Sequence, residues 1–191
     1  MKIFIFGAGA HASEVSELLQ IASSSSPIFL TEKDEYQIDM SLKTEQSFYF
    51  GIGDPNQRLK IGKKWKILQN QFKVLRHPNT LVSPSSEIEE GSVLQFGSVV
   101  SSSSVLGFGV LLNWNVTVGH HSKIGDCTVI NPGASVAGNC TIGEGVLIGT
   151  GARVLEGLNI GANAKIGAGA VVTRDVPAFA TYVGIPARAI K

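Results

Sequence analysis

The chain has 191 residues, enough for one large domain or two small ones. Lys and Arg number 16 against 15 Asp and Glu, and this near-neutral balance argues against a nucleic-acid-binding protein. Hydrophobic residues make up 43% of the chain, which excludes a disordered protein, and no apolar run is long enough to predict a membrane span. Cys127 and Cys140 have neither a disulfide-framework nor a metal-site spacing, and the N-terminus lacks a secretory pattern, so we expect a cytoplasmic protein.

The first eighty residues alternate between strand and helix patterns. The predicted strands are Lys2–Phe6, Pro27–Leu30, Ser47–Ile52 and Lys73–Leu75, and the predicted helices are His11–Ile21 and Gln57–Leu68. This alternation predicts a small parallel sheet flanked by helices, a Rossmann-like α/β domain over residues 1–79.

Ligands of such sheets bind beyond the carboxyl ends of the strands, which here are Gly9 to His11, Thr31-Glu32 and Gly53-Asp54. Gly7-x-Gly9 before a helix suits a phosphate, although a plain strand-to-helix turn has the same pattern. Position 12 is Ala, so the glycine fingerprint of dinucleotide-binding proteins is incomplete.

A basic cluster surrounds Trp65 in the second predicted helix. It consists of Lys60, Lys63, Lys64 and Lys66. Because the net charge of the chain is close to zero, we interpret the cluster as a solvated helix face rather than a nucleic-acid contact.

Glycine is concentrated in the rest of the chain, where 16 of the 22 glycines lie between Val82 and Val176. Stepping by six residues from Val82 gives Val, Ile or Leu sixteen times without an insertion. These anchors are Val82, Ile88, Leu94, Val100, Leu106, Leu112, Val118, Ile124, Ile130, Val136, Ile142, Ile148, Val154, Ile160, Ile166 and Val172. A hexapeptide repeat of this kind predicts a left-handed parallel β-helix over residues 80–191, with 18 residues per triangular coil and inward-pointing anchors.

In this prediction the glycines supply turn dihedrals that side chains would forbid. Sixteen units make about five coils, each rising roughly 4.8 Å.

Several short motifs narrow the family. They are Gly7-Ala-Gly9-Ala10-His11-Ala12-x-Glu14-Val15, Ile52-Gly53, His77-Pro78, Asn113 seven residues before His120, Ile124-Gly125-Asp126, Pro132-Gly133-Ala134, Ala137-Gly138-Asn139, the segment Ile166 to Val172, and Gly184-Ile-Pro186-Ala-Arg188. Over essentially its whole length the chain resembles the hexapeptide-repeat sugar acyltransferases, the family of sialic acid O-acetyltransferase NeuD and UDP-4-amino-sugar N-acetyltransferase PglD.

The resemblance implies direct transfer of acetyl from acetyl-CoA to a sugar amine or hydroxyl. It assigns the general base to His120, whose chemistry suits a proton acceptor near neutral pH. The next residue is usually acidic in this family, whereas here it is His121, which supplies no fixed negative charge. Gly138 lies one coil after His120, where its N–H would face the oxyanion.

The resemblance also implies the ligand contacts. Cofactor contacts fall on Val129, Gly138, Thr150 and Ala168, with Arg188 as a candidate for the 3′-phosphate of CoA or a solvated tail residue. Contacts to a nucleotide-linked sugar fall on Gly9, Ala10, His11, Thr31, Glu32, Gly53 and Asn113.

No metal is expected. Only His120 and His121 lie in the repeats, and adjacent residues of a strand point to opposite sides, so no zinc site forms from them.

The family resemblance further implies a homotrimer with active sites between subunits and a role in lipopolysaccharide or other cell-surface glycan synthesis. It favours a nucleotide-linked 4-amino sugar as acceptor, with O-acetylation of a sialic acid or another sugar hydroxyl as the alternative. The sequence leaves open whether Trp114 packs at a subunit interface or lines the substrate site.

Overall fold

The computed structural model describes residues 2–23, 26–31, 33–34 and 46–190. The N-terminal region contains three parallel strands, β1 (Lys2–Phe6), β2 (Ile28–Leu30) and β3 (Gln46–Phe50), in the order β2-β1-β3. All three match predicted strands to within two residues. Their side chains alternate between two apolar layers, as the strand period requires.

One helix covers each face of this sheet. Helix α1 (Ala10–Ser23) buries Ala12, Val15, Leu18 and Leu19, whose spacing follows the helical period. Helix α2 (Pro55–Lys64) begins where the Asp54 carboxylate accepts a hydrogen bond from the Gln57 N–H at 2.8 Å. A separate 3₁₀ helix, Lys66–Gln71, follows, so the long second helix predicted over Gln57–Leu68 is interrupted at Trp65.

The fourth predicted strand, Lys73–Leu75, is divided between the two regions. The Lys73 N–H donates to the Phe48 carbonyl of β3 at 3.1 Å, beside an isolated bridge between Phe48 and Phe72. Strand β4 (Leu75–Arg76) pairs instead with β7 (Val93–Leu94), eighteen residues later. The β-helix therefore begins at Leu75, inside the segment predicted as the N-terminal domain. The search for Val, Ile or Leu at every sixth residue missed the first unit of the β-helix, because Arg76 occupies its anchor position.

From β4 onward the chain forms a left-handed parallel β-helix of about six turns. The strands are β5 (Leu81–Val82), β6 (Glu87–Ile88), β7, β8 (Val99–Val100), β9 (Val105–Leu106), β10 (Leu111–Leu112), β11 (Thr117–Val118), β12 (Lys123–Ile124), β13 (Val129–Ile130), β14 (Ser135–Val136), β15 (Thr141–Ile142), β16 (Leu147–Ile148), β17 (Arg153–Val154), β18 (Asn159–Ile160), β19 (Lys165–Ile166) and β20 (Val171–Val172). Each pairs with the strand eighteen residues away, which confirms the predicted coil length. A hairpin of β21 (Thr181–Val183) and β22 (Arg188–Ile190) extends one of the three sheets.

The interior of the β-helix contains the anchors and the small residues between them. Fourteen anchors, from Leu94 to Val172, are buried in one continuous cluster, and Val82 and Ile88 pack against its end. Buried hydroxyls are paired along the helix axis: Ser122 Oγ donates to the Ala137 carbonyl at 2.9 Å and accepts from the Cys140 N–H at 3.1 Å. Such pairing removes the cost of burying a hydroxyl in this narrow core.

The glycines of the repeat have two separate physical roles. Those such as Gly109, with φ +66°, adopt the left-handed turn conformation that the sequence predicts. The glycines one residue after an anchor do not have a positive φ, so the prediction that they supply turn dihedrals is wrong. At Gly119, a Cβ would lie 2.5 Å from the Gly138 nitrogen of the next coil, so this glycine is required by close approach of two backbones.

The N-terminal region packs on the β-helix through two clusters. Helix α1 contacts the outward side chains Leu75, Val93, Leu111 and Val129. On the other face of the small sheet, aromatic rings from β1 and β3 meet Phe72 and Phe108. Both contacts are apolar and buried, so the two regions form one body.

Candidate active site

His120 and His121 occupy the turn between β11 and β12, at one corner of the β-helix. His121 has φ +57°, and the His120 and His121 Nδ1 atoms are 3.1 Å apart. The expectation that these side chains point to opposite sides is therefore wrong, because that rule holds for strands and both residues belong to a turn. Both rings are exposed, with their planes nearly perpendicular.

Gly138 provides the surface against which the His120 ring lies. A Cβ on Gly138 would be 2.6 Å from His120 Cε1 and 2.7 Å from Nε2, closer than side chains pack. The backbone supports this stacking, since the Asn139 N–H donates to the His120 carbonyl at 2.8 Å. The Gly138 N–H donates to no other backbone group within the described residues. The structure thus joins His120, His121 and Gly138 at one corner.

This pair of imidazoles can orient a base without a carboxylate. A neutral imidazole has one N–H donor and one acceptor nitrogen. If His120 Nδ1–H donates to His121 Nδ1, then His120 Nε2 is left as the acceptor facing solvent, as a general base requires. In this tautomer, hydrogen bonding to His121 would hold the His120 ring without a charged partner.

The predicted cofactor contacts are divided between corners. Thr150 and Ala168 stack with Trp114 and Pro132 at the preceding corner, because the Gly133, Gly151 and Gly169 N–H groups bind the carbonyls of Trp114, Pro132 and Thr150. Asn113 lies at this same corner, where its Oδ1 accepts from the Trp114 N–H at 3.0 Å. Within one chain these residues are a full side of the triangle away from His120.

Val129 does not line any open surface. Its side chain is 0% exposed, packed in the cluster beneath helix α1. The prediction that Val129 contacts the cofactor is therefore corrected: a small N-terminal domain covers this position in the tertiary structure. Arg188 is exposed and lies opposite Val183 in the β21–β22 hairpin, and Val183 packs on Gly167 beside Ala168.

The predicted nucleotide edge contains a cavity of about 490 Å³ at the carboxyl ends of the three strands. Gly7, Thr31 and Ile52 line it. Of the other predicted contacts, Gly9, Ala10 and Gly53 are exposed near this edge, and Glu32 lies outside the described residues.

Helix α2 contributes four cavity residues that the sequence analysis did not assign to the site, Gln57, Lys60, Ile61 and Lys64. Lys60 and Lys64 are exposed, as the interpretation of a solvated helix face expects, and both also line this cavity. Their spacing of four residues on a helix that starts at the binding edge is the signal that would have identified them.

His11 faces away from this cavity. Its Nδ1 atom is 3.0 Å from Glu14 Oε2, and its Nε2 is buried with no hydrogen-bond partner among the described residues. Burial lowers the pKa of His11, and the Glu14 hydrogen bond partly opposes that shift.

Arg58 fixes the binding edge to the β-helix. Its side chain is fully buried, with Nε donating to the Gly109 carbonyl and Nη1 to the Ile52 carbonyl, both at 2.8 Å. The guanidinium also lies 4.6 Å from the centre of the Phe50 ring. Burial lowers the pKa of Arg58 to about 10, which leaves it charged at neutral pH.

Comparison with known proteins gives a consistent result. The profile described as bacterial transferase hexapeptide (six repeats) matches residues 139–174. No curated protein matches the chain.

Several solved structures resemble the whole chain. A variant of perosamine N-acetyltransferase from Caulobacter crescentus, in complex with CoA and GDP-perosamine, is 28% identical, with a TM-score of 0.93 over 100% of this chain and 97% of that one. The acetyltransferase domain of PglB from Neisseria gonorrhoeae, with acetyl coenzyme A, is 31% identical, with a TM-score of 0.92 over 99% and 98%. WeeI from Acinetobacter baumannii is 28% identical, with a TM-score of 0.87 over 100% of both chains.

The chain belongs to the hexapeptide-repeat sugar acyltransferases. It is an acetyl-CoA-dependent enzyme of this family. Its fold matches that of the structural neighbours, and those structures contain CoA or acetyl-CoA. For the ranges that the structure describes, no three His, Cys, Asp or Glu side chains lie together as metal ligands. Within the same ranges, no helix has the length and apolar character needed to cross a bilayer.

Proposed function

We propose that the protein transfers acetyl from acetyl-CoA to the amino group of a nucleotide-linked 4-amino sugar, with His120 as general base. The observation that carries this proposal is the His120 ring, held against Gly138 with its Nδ1 beside His121. Relatives that bind CoA together with GDP-perosamine support an amine as the acceptor group.

In the proposed step the sugar amine attacks the thioester carbonyl while His120 Nε2 takes its proton. The new C–N bond forms a tetrahedral oxyanion, which the Gly138 N–H stabilises. The C–S bond then breaks, and the CoA thiolate leaves with the proton that His120 returns. The transfer is direct, so the proposed step includes no acyl-enzyme.

The cofactor follows the corner column of small residues. Thr150 and Ala168 leave a smooth path for the narrow pantetheine arm, and Arg188 supplies a charged donor for a phosphate at the end of the column. The nucleotide occupies the cavity at the strand ends, where Lys60 and Lys64 provide cationic contacts to its phosphates.

A complete site needs more than one copy of the chain. His120 and the Thr150 column lie at different corners, so a neighbouring subunit must bring them together. This supports a homotrimer with active sites between subunits, acting in the cytoplasm in cell-surface glycan synthesis.

The test is acetyl-CoA turnover with UDP-, dTDP-, GDP- and CMP-linked amino sugars and their hydroxyl counterparts. We expect His120→Ala to lower kcat by about 100-fold or more with the preferred amine. Lys123→Ala removes an exposed side chain from the next strand and should retain activity. Full activity of His120→Ala would contradict the mechanism, and turnover only with hydroxyl acceptors would contradict the substrate class.

A further inference from the structure

A second cavity, of about 370 Å³, lies between helix α1 and the corner of the β-helix that carries Trp114. Leu18 and Ile21 of α1 form one side, and Phe96 and Trp114 form the other. Trp114 is 45% exposed and Phe96 is 47% exposed. Large aromatic faces left open in a concave pocket are typical of ligand sites rather than of packing.

The aromatic walls of this cavity are held in place. The His77 ring meets Phe96 edge to face, with the ring centres 5.1 Å apart. The turn that carries Trp114 is held by a hydrogen bond from the Trp114 backbone N–H to Asn113 Oδ1 at 3.0 Å. The pocket is therefore built by the fold before any ligand arrives.

A buried polar group in the cavity wall lacks a partner. Gln95 is 3% exposed, and its Nε2 forms no hydrogen bond with any described residue. Leaving a buried amide donor unpaired is energetically costly, so such groups usually bind a ligand or water. Gln95 thus offers a donor to a ligand oxygen at this place.

The charge of the cavity selects the ligand class. Glu14 and Glu17 lie on its rim, and none of the residues that line it is Lys or Arg. Two carboxylates favour an ammonium group and repel a carboxylate. An amino sugar fits this charge, whereas a sialic acid does not.

Two residues of the cavity connect it to the proposed half-sites. Glu14 is hydrogen-bonded to His11, next to the nucleotide edge at the start of α1. Trp114 begins the corner column that continues through Thr150 and Ala168.

We infer that this cavity binds the amino-sugar ring of the acceptor, which stacks on Trp114 and Phe96, donates a hydrogen bond from its amino group to the Glu17 carboxylate and accepts one from Gln95. This inference rests on the proposed function and names the residues that choose its sugar. Because His120 lies at another corner of the same chain, the base that acts on this sugar comes from a second copy.

The experiment compares binding of the intact nucleotide sugar with binding of its nucleoside diphosphate alone. The probe is whichever UDP-, dTDP- or GDP-linked 4-amino sugar is turned over by the wild type. We expect Trp114→Ala to raise KM for that probe about 10-fold, with the affinity for the nucleoside diphosphate and KM for acetyl-CoA unchanged. Phe179→Ala, which removes an exposed aromatic ring elsewhere, is the matched control.

Glu17→Gln tests the contribution of charge to sugar binding, because it keeps the shape of the side chain. It should weaken binding of the amino sugar about threefold and leave binding of the 4-hydroxyl analogue, measured as an inhibitor, unchanged. Equal losses of affinity for the nucleotide sugar and for the nucleoside diphosphate in Trp114→Ala would overturn the inference. A change in the oligomeric state of this variant, measured by sedimentation, would also overturn it, because it would show that the cavity is a subunit contact. Turnover of no amino sugar at all would instead contradict the proposed function.

Subunit mixing tests the origin of the base. Assemblies formed from His120→Ala and Trp114→Ala chains together should recover activity above that of either variant, because some sites then combine an intact His120 with an intact Trp114. Absence of any recovery, with mixed assembly verified by mass spectrometry, would show that both residues act within one chain.

Discussion

The β-helix and the N-terminal region bury their cores in different ways. In the β-helix each aliphatic anchor stacks on its equivalent eighteen residues away, and the Ser92, Ser104, Ser122 and Thr128 hydroxyls each donate to a carbonyl fifteen residues later. The N-terminal region instead packs phenylalanine rings against one another, with the buried Arg58 guanidinium 4.6 Å from the centre of the Phe50 ring. The first core repeats one local rule, whereas the second depends on contacts that occur once.

The two regions also position their side chains in different ways. The repeat places groups at fixed spacings, such as His120 beside Gly138, without contacts from the rest of the molecule. The N-terminal region positions its binding edge through long-range contacts such as Arg58 to Gly109. We therefore expect substitutions to have different consequences in the two regions.

The largest effect should follow from Arg58→Ala, which tests the irregular core. The change leaves two buried carbonyls without donors and removes a ring contact, so we expect a loss of about 3–5 kcal/mol in the free energy of unfolding. Urea denaturation measures it. Arg58→Lys should fail to restore stability, because lysine lacks the planar fork that reaches both carbonyls.

Arg153→Ala is the control, since that arginine is exposed and only reaches the Gly151 carbonyl. A loss in Arg58→Ala no larger than in this control would show that the buried guanidinium does not join the two regions.

Gly138→Ala tests the precision of the repeat. The added methyl group would overlap the His120 ring, so the imidazole must move while the coil remains folded. We expect kcat to fall about 100-fold with little change in unfolding free energy. Gly133→Ala adds a methyl at a turn position with nothing within 4 Å and should retain kcat, at some cost in stability from its positive φ.

Val129→Ala tests the contact between the two regions. Removing two buried methyl groups should cost about 2 kcal/mol of stability and leave KM for acetyl-CoA unchanged. Thr150→Ala should do the reverse, raising that KM with little effect on stability. A higher KM in Val129→Ala without a loss of stability would restore Val129 as a cofactor contact.

The smallest effect concerns pH. Because the pKa of His11 is lowered in the folded state, the unfolded chain takes up the proton first as pH falls below about 6.5, so folding stability decreases from there to the folded pKa. His11→Asn should show a shallower decline in unfolding free energy between pH 7 and pH 5. Identical pH profiles for the two proteins would contradict the burial of a neutral His11.

Much of the fold and part of the site could be predicted from residue order. The anchors, the coil length and the placement of Gly138 one coil after His120 follow from a strict period. Three features did not follow: β4 joins the β-helix, Val129 is buried beneath α1, and Lys60 and Lys64 face a cavity. Each depends on how the N-terminal region packs, and periodicity carries no information about that contact.

The sequence by itself determined the β-helix and the position of His120 one coil before Gly138, because a hexapeptide repeat converts spacing along the chain directly into position in space. The tertiary structure alone decided that the Nδ1 atoms of His120 and His121 lie 3.1 Å apart, that α1 covers Val129, and that Trp114 lines a pocket with α1. These outcomes depend on backbone turns and on contacts between residues far apart in the chain. Local sequence patterns do not specify such contacts, because their geometry is fixed only when the two regions pack.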